Sequence, residues 1–200
     1  MAAELKAEGY EIIPATFTEN FGPNGETMSF NGTIQEVMDQ VHDINPDFKF
    51  ETEDADVEED ADDGEDADDD EGLVKRDWRD RTVTKKKCDI GDWARKYFID
   101  DGVKYLRGLK KSKCKLRSKG CSRVSCSWGS AIWVCWHPHK NSPKTYTKSW
   151  GYVADYADGI AAGDWCPREH RPQDPYTRYR VKGKVWNPRG MAVRIGSDKC

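Results

Sequence analysis

Apolar positions are spread unevenly along the chain. Near its start, Ile12, Ile13 and Phe17 read as a short strand, Pro23-Asn24-Gly25 as a turn, and Met28 and Phe30 as the extended return. Thr33 stands three residues before Glu36, the spacing of a capping box. Ile34, Val37, Met38 and Val41 then recur at helical intervals until Asn45-Pro46. Residues 1–50 are therefore expected to form a small ββα-like unit, marginal alone and folded against the C-terminal part of the chain. Residues 51–72 consist almost entirely of Asp, Glu and Ala. Self-repulsion and chain entropy meet no apolar offset there, so a disordered acidic linker is expected over 51–76.

Beyond the linker the periodicities sharpen. Asp92 is placed to cap a helix carrying Trp93, Tyr97 and Phe98, and Gly102 to separate it from a second helix with Val103, Leu106 and Leu109. Lys110, Lys111, Lys113, Lys115, Arg117 and Lys119 come next as a basic loop. Val124, Cys126 and Trp128 alternate with Arg123, Ser125 and Ser127, as in a strand with one polar face; Gly129-Ser130 turns the chain and Ala131 to Trp136 returns. From Ser149, the positions Trp150, Val153, Ala154, Ala157, Ile160 and Ala161 keep helical spacing up to Gly163. Tyr179, Val181 and Val185 then alternate with Arg178, Arg180, Lys182 and Lys184, and Asn187-Pro188-Arg189-Gly190 leads back into Met191, Val193 and Ile195. The expected fold is α+β, an antiparallel sheet of two hairpins with helices packed on one face.

Charge divides the chain at the same place. Residues 1–76 hold 24 Asp and Glu against 4 Lys and Arg; residues 77–200 hold 12 against 28, so a net of −20 precedes a net of +16. All 7 cysteines and all 8 tryptophans fall in the C-terminal part, which therefore carries the material of a stapled core. Lys75-Arg76, followed by Asp77, stands where composition, charge and cysteine content all switch. A dibasic pair in an exposed acidic stretch is a substrate for a kexin- or furin-type protease. The organisation predicted is a propeptide over 1–50, a linker over 51–76 ending in the cleavage site, and a mature cysteine-rich domain over 77–200. Dense cysteine in a short chain favours an oxidising compartment. No stretch approaches the ~20 apolar residues that span a bilayer. Met1 to Asn20 has no apolar signal-peptide core, so a secreted, extracellular protein is expected only with its signal peptide already removed.

Three runs carry a resemblance: Cys88-Asp89-Ile90-Gly91-Asp92-Trp93-Ala94-Arg95, Cys121-Ser122-Arg123-Val124-Ser125-Cys126-Ser127-Trp128, and Ser130-Ala131-Ile132-Trp133-Val134-Cys135. With the ending Asp198-Lys199-Cys200 and the early Phe30-Asn31-Gly32-Thr33, they resemble the small secreted cysteine-rich proteins of filamentous fungi known as candidate effectors. Some of these are similar in layout to killer toxins with an α/β sandwich. The resemblance implies secretion, kexin-type processing and three disulfides among Cys88, Cys121, Cys126, Cys135, Cys166 and Cys200, with no catalytic residues. Cys114 and His137-Pro138-His139 depart from the pattern. Connectivity is not readable from spacing, since six cysteines allow 15 pairings.

Candidate chemistry is sparse. Cys121, Cys126, Cys135, His137 and His139 lie in one window but lack the Cys-x2-Cys spacing of zinc sites, and no metal or other cofactor is expected. Glu169 and His170, flanked by Arg168 and Arg171, offer a general base and acid for a ribonuclease-like reaction. Asn31-Gly32-Thr33 is an N-glycosylation sequon. The best-supported feature is a basic binding surface of Lys110, Lys111, Lys113, Lys115, Arg178, Arg180, Lys182 and Lys184, suited to an anionic or host target: lipid, glycan, nucleic acid or receptor protein. The functional expectation is a secreted effector or toxin-like protein that binds without catalysis once residues 1–76 are removed. A secreted ribonuclease and an intracellular zinc-dependent nucleic-acid-binding protein are the rivals.

Overall fold

The computed structural model of the chain describes residues 1–50, 79, 81–139, 143–174 and 178–200. The expected linker, and Lys75, Arg76 and Asp77 at its end, lie outside the described residues.

The chain opens with a short helix that the apolar pattern did not announce, α1 (Ala2–Ala7), with Leu5 buried. Next come β1 (Glu11–Ile12) and an antiparallel hairpin of β2 (Thr16–Glu19) and β3 (Met28–Asn31), in which Phe17 faces Phe30. Helix α2 (Ile34–Ile44) begins at the capping box read from the sequence. The Glu36 amide donates to Thr33 Oγ1 at 3.4 Å, and the Thr33 amide donates to Glu36 Oε2 at 2.7 Å, so two amides at the helix start are satisfied reciprocally. Ile34, Val37, Met38 and Val41 face the core, and Asn45 closes the helix before Pro46.

After β4 (Lys85–Lys87) and β5 (Ala94–Arg95), a single helix, α3 (Lys96–Arg107), replaces the two expected. Asp92 does not cap it; Arg95 occupies the N-cap without a side-chain bond. Gly102 lies inside α3 because the helix presses on the sheet: a Cβ there would stand 3.0 Å from both the Ser125 Cβ and the Ile132 Cδ1. Close approach, not helix breaking, accounts for this glycine. The 110–119 segment is likewise no loop, since half of it forms β6 (Lys113–Arg117).

Strands β7 (Gly120–Ser127) and β8 (Ser130–Trp136) form a hairpin with a bulge between Arg123 and Ser125. The extra residue flips the side-chain phase, so Val124 and Ser125 both face α3 while Cys126 faces away; simple alternation along the strand fails for that reason. β9 (Thr145–Ser149) pairs antiparallel with β6. α4 (Trp150–Ala162) starts at Ser149, whose hydroxyl accepts from the Tyr152 amide at 3.2 Å, and ends at Gly163 with φ +90°. β10 (Glu169–His170), β11 (Tyr179–Val181), β12 (Gly183–Trp186) and β13 (Met191–Ser197) complete the chain.

The main sheet has the order β1-β7-β8-β13-β12-β4 and is mixed, because β1 runs parallel to β7. The α+β class holds, with a larger sheet than two hairpins: β1 and β4 extend its edges. Helices α2, α3 and α4 cover one face with a core that includes Ile99, Leu106, Val134, Trp136, Val153 and Val193. The other face is not open to solvent. Leu5 and Tyr10 lie on it against Trp133, Ala192 and the Cys121–Cys135 bridge. Arg107 of α3 and Arg81 meet on Asp155 of α4, with bonds of 2.9 and 2.8 Å, which pins the two helices together. Cys88–Cys166, Cys121–Cys135 and Cys126–Cys200 are disulfides, and Cys114 is a buried free thiol.

Gly102→Val is expected to lower stability by about 1–3 kcal/mol through overpacking against Ser125 and Ile132, despite the better helix propensity of valine. Thermal unfolding of the variant checks this, and an unchanged midpoint would show that α3 has room to move away.

Candidate functional site

The exposed cations of the 110–119 segment gain their arrangement from β-pairing. In β6, Cys114 and Leu116 point into the core while Lys113, Lys115 and Arg117 point outward. β9 presents Thr145, Thr147 and Ser149 on the same side and buries Tyr146. Register sets each cation opposite a hydroxyl: Lys113 faces Ser149, Lys115 faces Thr147 and Arg117 faces Thr145. The outer surface of this ribbon is therefore a double row of hydrogen-bond donors, three of them charged. Lys110, Lys111 and Lys119 flank it and are exposed. Arg117 pairs with Glu11, both well exposed, whereas Lys113 and Lys115 form no ion pair among the described residues. Beneath, the Tyr146 ring stacks on Trp136 with centroids 4.5 Å apart, and its hydroxyl accepts from Asn187 Nδ2 at 2.8 Å. Burial pushes the Tyr146 phenol well above its ordinary range. The ribbon is thus a rigid surface on a packed base, able to hold phosphate, sulfate or carboxylate groups in a line.

The second half of the predicted basic surface is dispersed. Gly183, at φ +148°, breaks the expected strand, and a Cβ on it would meet Cys166 Sγ at 2.6 Å. Arg178 and Arg180 consequently fall on the β10-β11-β5 side, while Lys184 enters the main sheet. Arg178 is exposed, but Arg180 donates to Asp174 Oδ2 at 2.6 Å, and Lys182 lies over the Trp93 ring with its ammonium donating to the Gly91 carbonyl at 3.2 Å. Lys184 is 0% exposed. Its ammonium is 2.5 Å from Glu8 Oε2 and sits over the Tyr10 and Trp186 rings. Burial pulls its pKa below the usual lysine value, and the Glu8 carboxylate opposes that shift. These four residues do not share a face.

Glu169 and His170 are consecutive residues of β10, so their side chains leave opposite sides of the strand and do not converge. Glu169 bonds to Arg171 at 3.0 Å, and His170 leans on Tyr179. Cys121, Cys126 and Cys135 spend their thiols in bridges, and no group of three His, Cys, Asp or Glu among the described residues is arranged to hold a metal. His137 is exposed, with its ring edge-on to Tyr10. Asn31 is exposed on β3 and accepts from Thr16 Oγ1 at 2.7 Å, while Thr33 is buried in the α2 cap. No helix among the described residues is long and apolar enough to cross a membrane.

Trp128, read from the sequence as a strand residue, instead tops the β7–β8 turn with φ +47° and 76% exposure. Its ring stacks at 6.1 Å on Phe98, beside the exposed Tyr97. A bulky side chain in left-handed backbone is costly, and asparagine or glycine normally takes this turn position. The only sequence signal was the dipeptide Trp128-Gly129 ahead of a second strand.

No protein-family model, curated protein or solved structure matches this chain.

Two outcomes are expected. Trp128→Asn should raise stability by about 1 kcal/mol by relieving the left-handed tryptophan, as a higher unfolding midpoint. Cys114 should resist a thiol reagent in the native protein, since burial raises its pKa far above the ordinary thiol value, and should appear as one thiol per chain in denaturant without reductant. More than one titrating thiol under denaturing conditions would contradict three bridges.

Proposed function

We propose that this chain is a secreted, fungal effector- or toxin-like pro-protein, cut after Arg76, whose folded part binds an anionic partner without catalysing a reaction. The observation that carries the binding assignment is the outward row of Lys113, Lys115 and Arg117 with a hydroxyl across from each. Three further facts support the reading. Residues 77–200 hold 28 basic against 12 acidic residues, well beyond what solubility asks. The six bridged cysteines accord with an oxidising compartment. The nuclease candidates Glu169 and His170 point apart rather than toward one substrate. The binding face is accordingly the β6–β9 ribbon with Lys110 and Lys111, in place of the Arg178–Lys184 stretch. The acidic residues of 51–76 supply a competing polyanion within the uncut chain.

The test is a Lys113→Glu/Lys115→Glu/Arg117→Glu variant. All three side chains are exposed, so the fold should survive. With each cation near an anionic surface contributing about 1 kcal/mol, affinity for phosphatidylserine vesicles or heparin should fall at least ~100-fold at low salt. Wild-type binding by the variant, or no binding of either probe by the wild type, would refute the assignment. Separately, digestion with a kexin-type protease should yield fragments with the masses of 1–76 and 77–200, and an uncut chain would remove the processing step.

A further inference from the structure

Residues 1–50 contain no cysteine, and every bridge joins positions between 88 and 200. The N-terminal part is nonetheless built into both faces of the fold. Phe17 and Phe21 are fully buried in the helix-side core, Phe17 stacking on Trp150 with centroids 4.5 Å apart. Leu5 and Tyr10 close the opposite face. β1 supplies the edge strand beside β7, with the Glu11 amide donating to the Lys119 carbonyl at 2.8 Å and the Ile13 amide to the Cys121 carbonyl at 2.9 Å. Glu19 Oε2 accepts from the amides of Lys111 and Ser112, and Gln35 Oε1 from that of Cys126.

The charges argue the same way. Lys184 and Arg194 lie at 0% and 1% exposure on the sheet face under α1. Lys184 pairs with Glu8, and Arg194 Nη2 donates to Glu4 Oε2 at 2.5 Å; both acids come from the N-terminal part. Removing that part would strip two cations of their counter-charges on a face that also carries Trp133 and Trp186. The same removal would open to water the apolar surface that Leu5 and Tyr10 cover around Trp133, Ala192 and the Cys121–Cys135 bridge, and that exposure is the larger cost. Residues 1–50 carry 9 acidic and 2 basic residues against the 12 and 28 of residues 77–200, so long-range attraction also favours re-association.

We propose that residues 1–50 stay bound after the linker is cut, so that the mature form is a two-chain, non-covalent protein and not the 77–200 fragment alone. Cleavage then frees the acidic linker at one end without releasing the unit it was attached to. The occasion for the cut rests on the proposed processing at Arg76, but the docking does not.

The experiment makes the cut independent of that processing. A recognition sequence for a sequence-specific protease is placed within 58–66 of the full chain, and the protein is cut and run on size exclusion at physiological salt. Both fragments are expected in one peak at the uncut volume, separating in guanidinium without any reductant. A native run that yields the N-terminal fragment alone, beside a folded monomer of the remainder, would overturn the proposal. In the cut protein, Glu4→Lys/Glu8→Lys should weaken the complex by roughly 100-fold or more, read by dilution and native mass spectrometry. Glu4→Gln/Glu8→Gln, which keeps shape and removes charge, should weaken it less. Equal affinity for wild type and both variants would overturn the role given to Lys184 and Arg194. Failure of a kexin-type protease to cut the unaltered chain would sink the processing step and leave this result standing.

Discussion

A sheet that is apolar on both faces must be covered on both. The central strands β7, β8, β13 and β12 bury nearly every residue, and the rest of the architecture answers that requirement. Helices α3 and α4 lie across one side, joined by Arg81, Arg107 and Asp155. Among the described residues, the cysteine-rich part has no second layer of its own for the other side. Residues 1–12 supply it, with Leu5 and Tyr10 as the apolar contact and Glu4 and Glu8 meeting the two cations that the sheet carries there.

Cations thus serve two physically different ends. Lys184 and Arg194 are desolvated, and each is held beside a carboxylate from a distant part of the chain whose outer side still meets water. Lys113, Lys115 and Arg117 remain in water on a packed ribbon, where their field is long-ranged and salt-sensitive. A count of lysine and arginine does not separate these classes. Pairing and burial do: they take Lys184 and Arg194 out of the solvent-facing set and leave Lys113 and Lys115 in it.

The legibility of the sequence was correspondingly uneven. The α2 capping box, the span of α4 from Ser149 to Gly163, and the return strands around Val134 and Val193 were readable because short-range patterns produce them. Gly102 was read as a break because its reason, the nearness of Ser125 and Ile132, lies about 25 residues away along the chain. The cations of 110–119 looked like a loop because the partner strand that makes them a ribbon begins at Thr145. Trp128 reads as a strand residue because its bulk is atypical of a turn, yet Ser127 pairs with Ser130 and leaves Trp128-Gly129 as the two turn residues.

By itself the sequence determined the α+β class, the acidic–basic division of the chain, the α2 capping box and the pool of cysteines available for bridging. These are consequences of local periodicity and composition. Only the tertiary structure decided which cysteines pair, which lysines are buried, and that residues 1–50 form a layer of the fold. Apart from Cys121–Cys135, which bridges the β7–β8 hairpin 14 residues apart, these depend on contacts between segments 70 to 190 residues apart, and short-range pattern carries no information about which distant surface a buried group will meet.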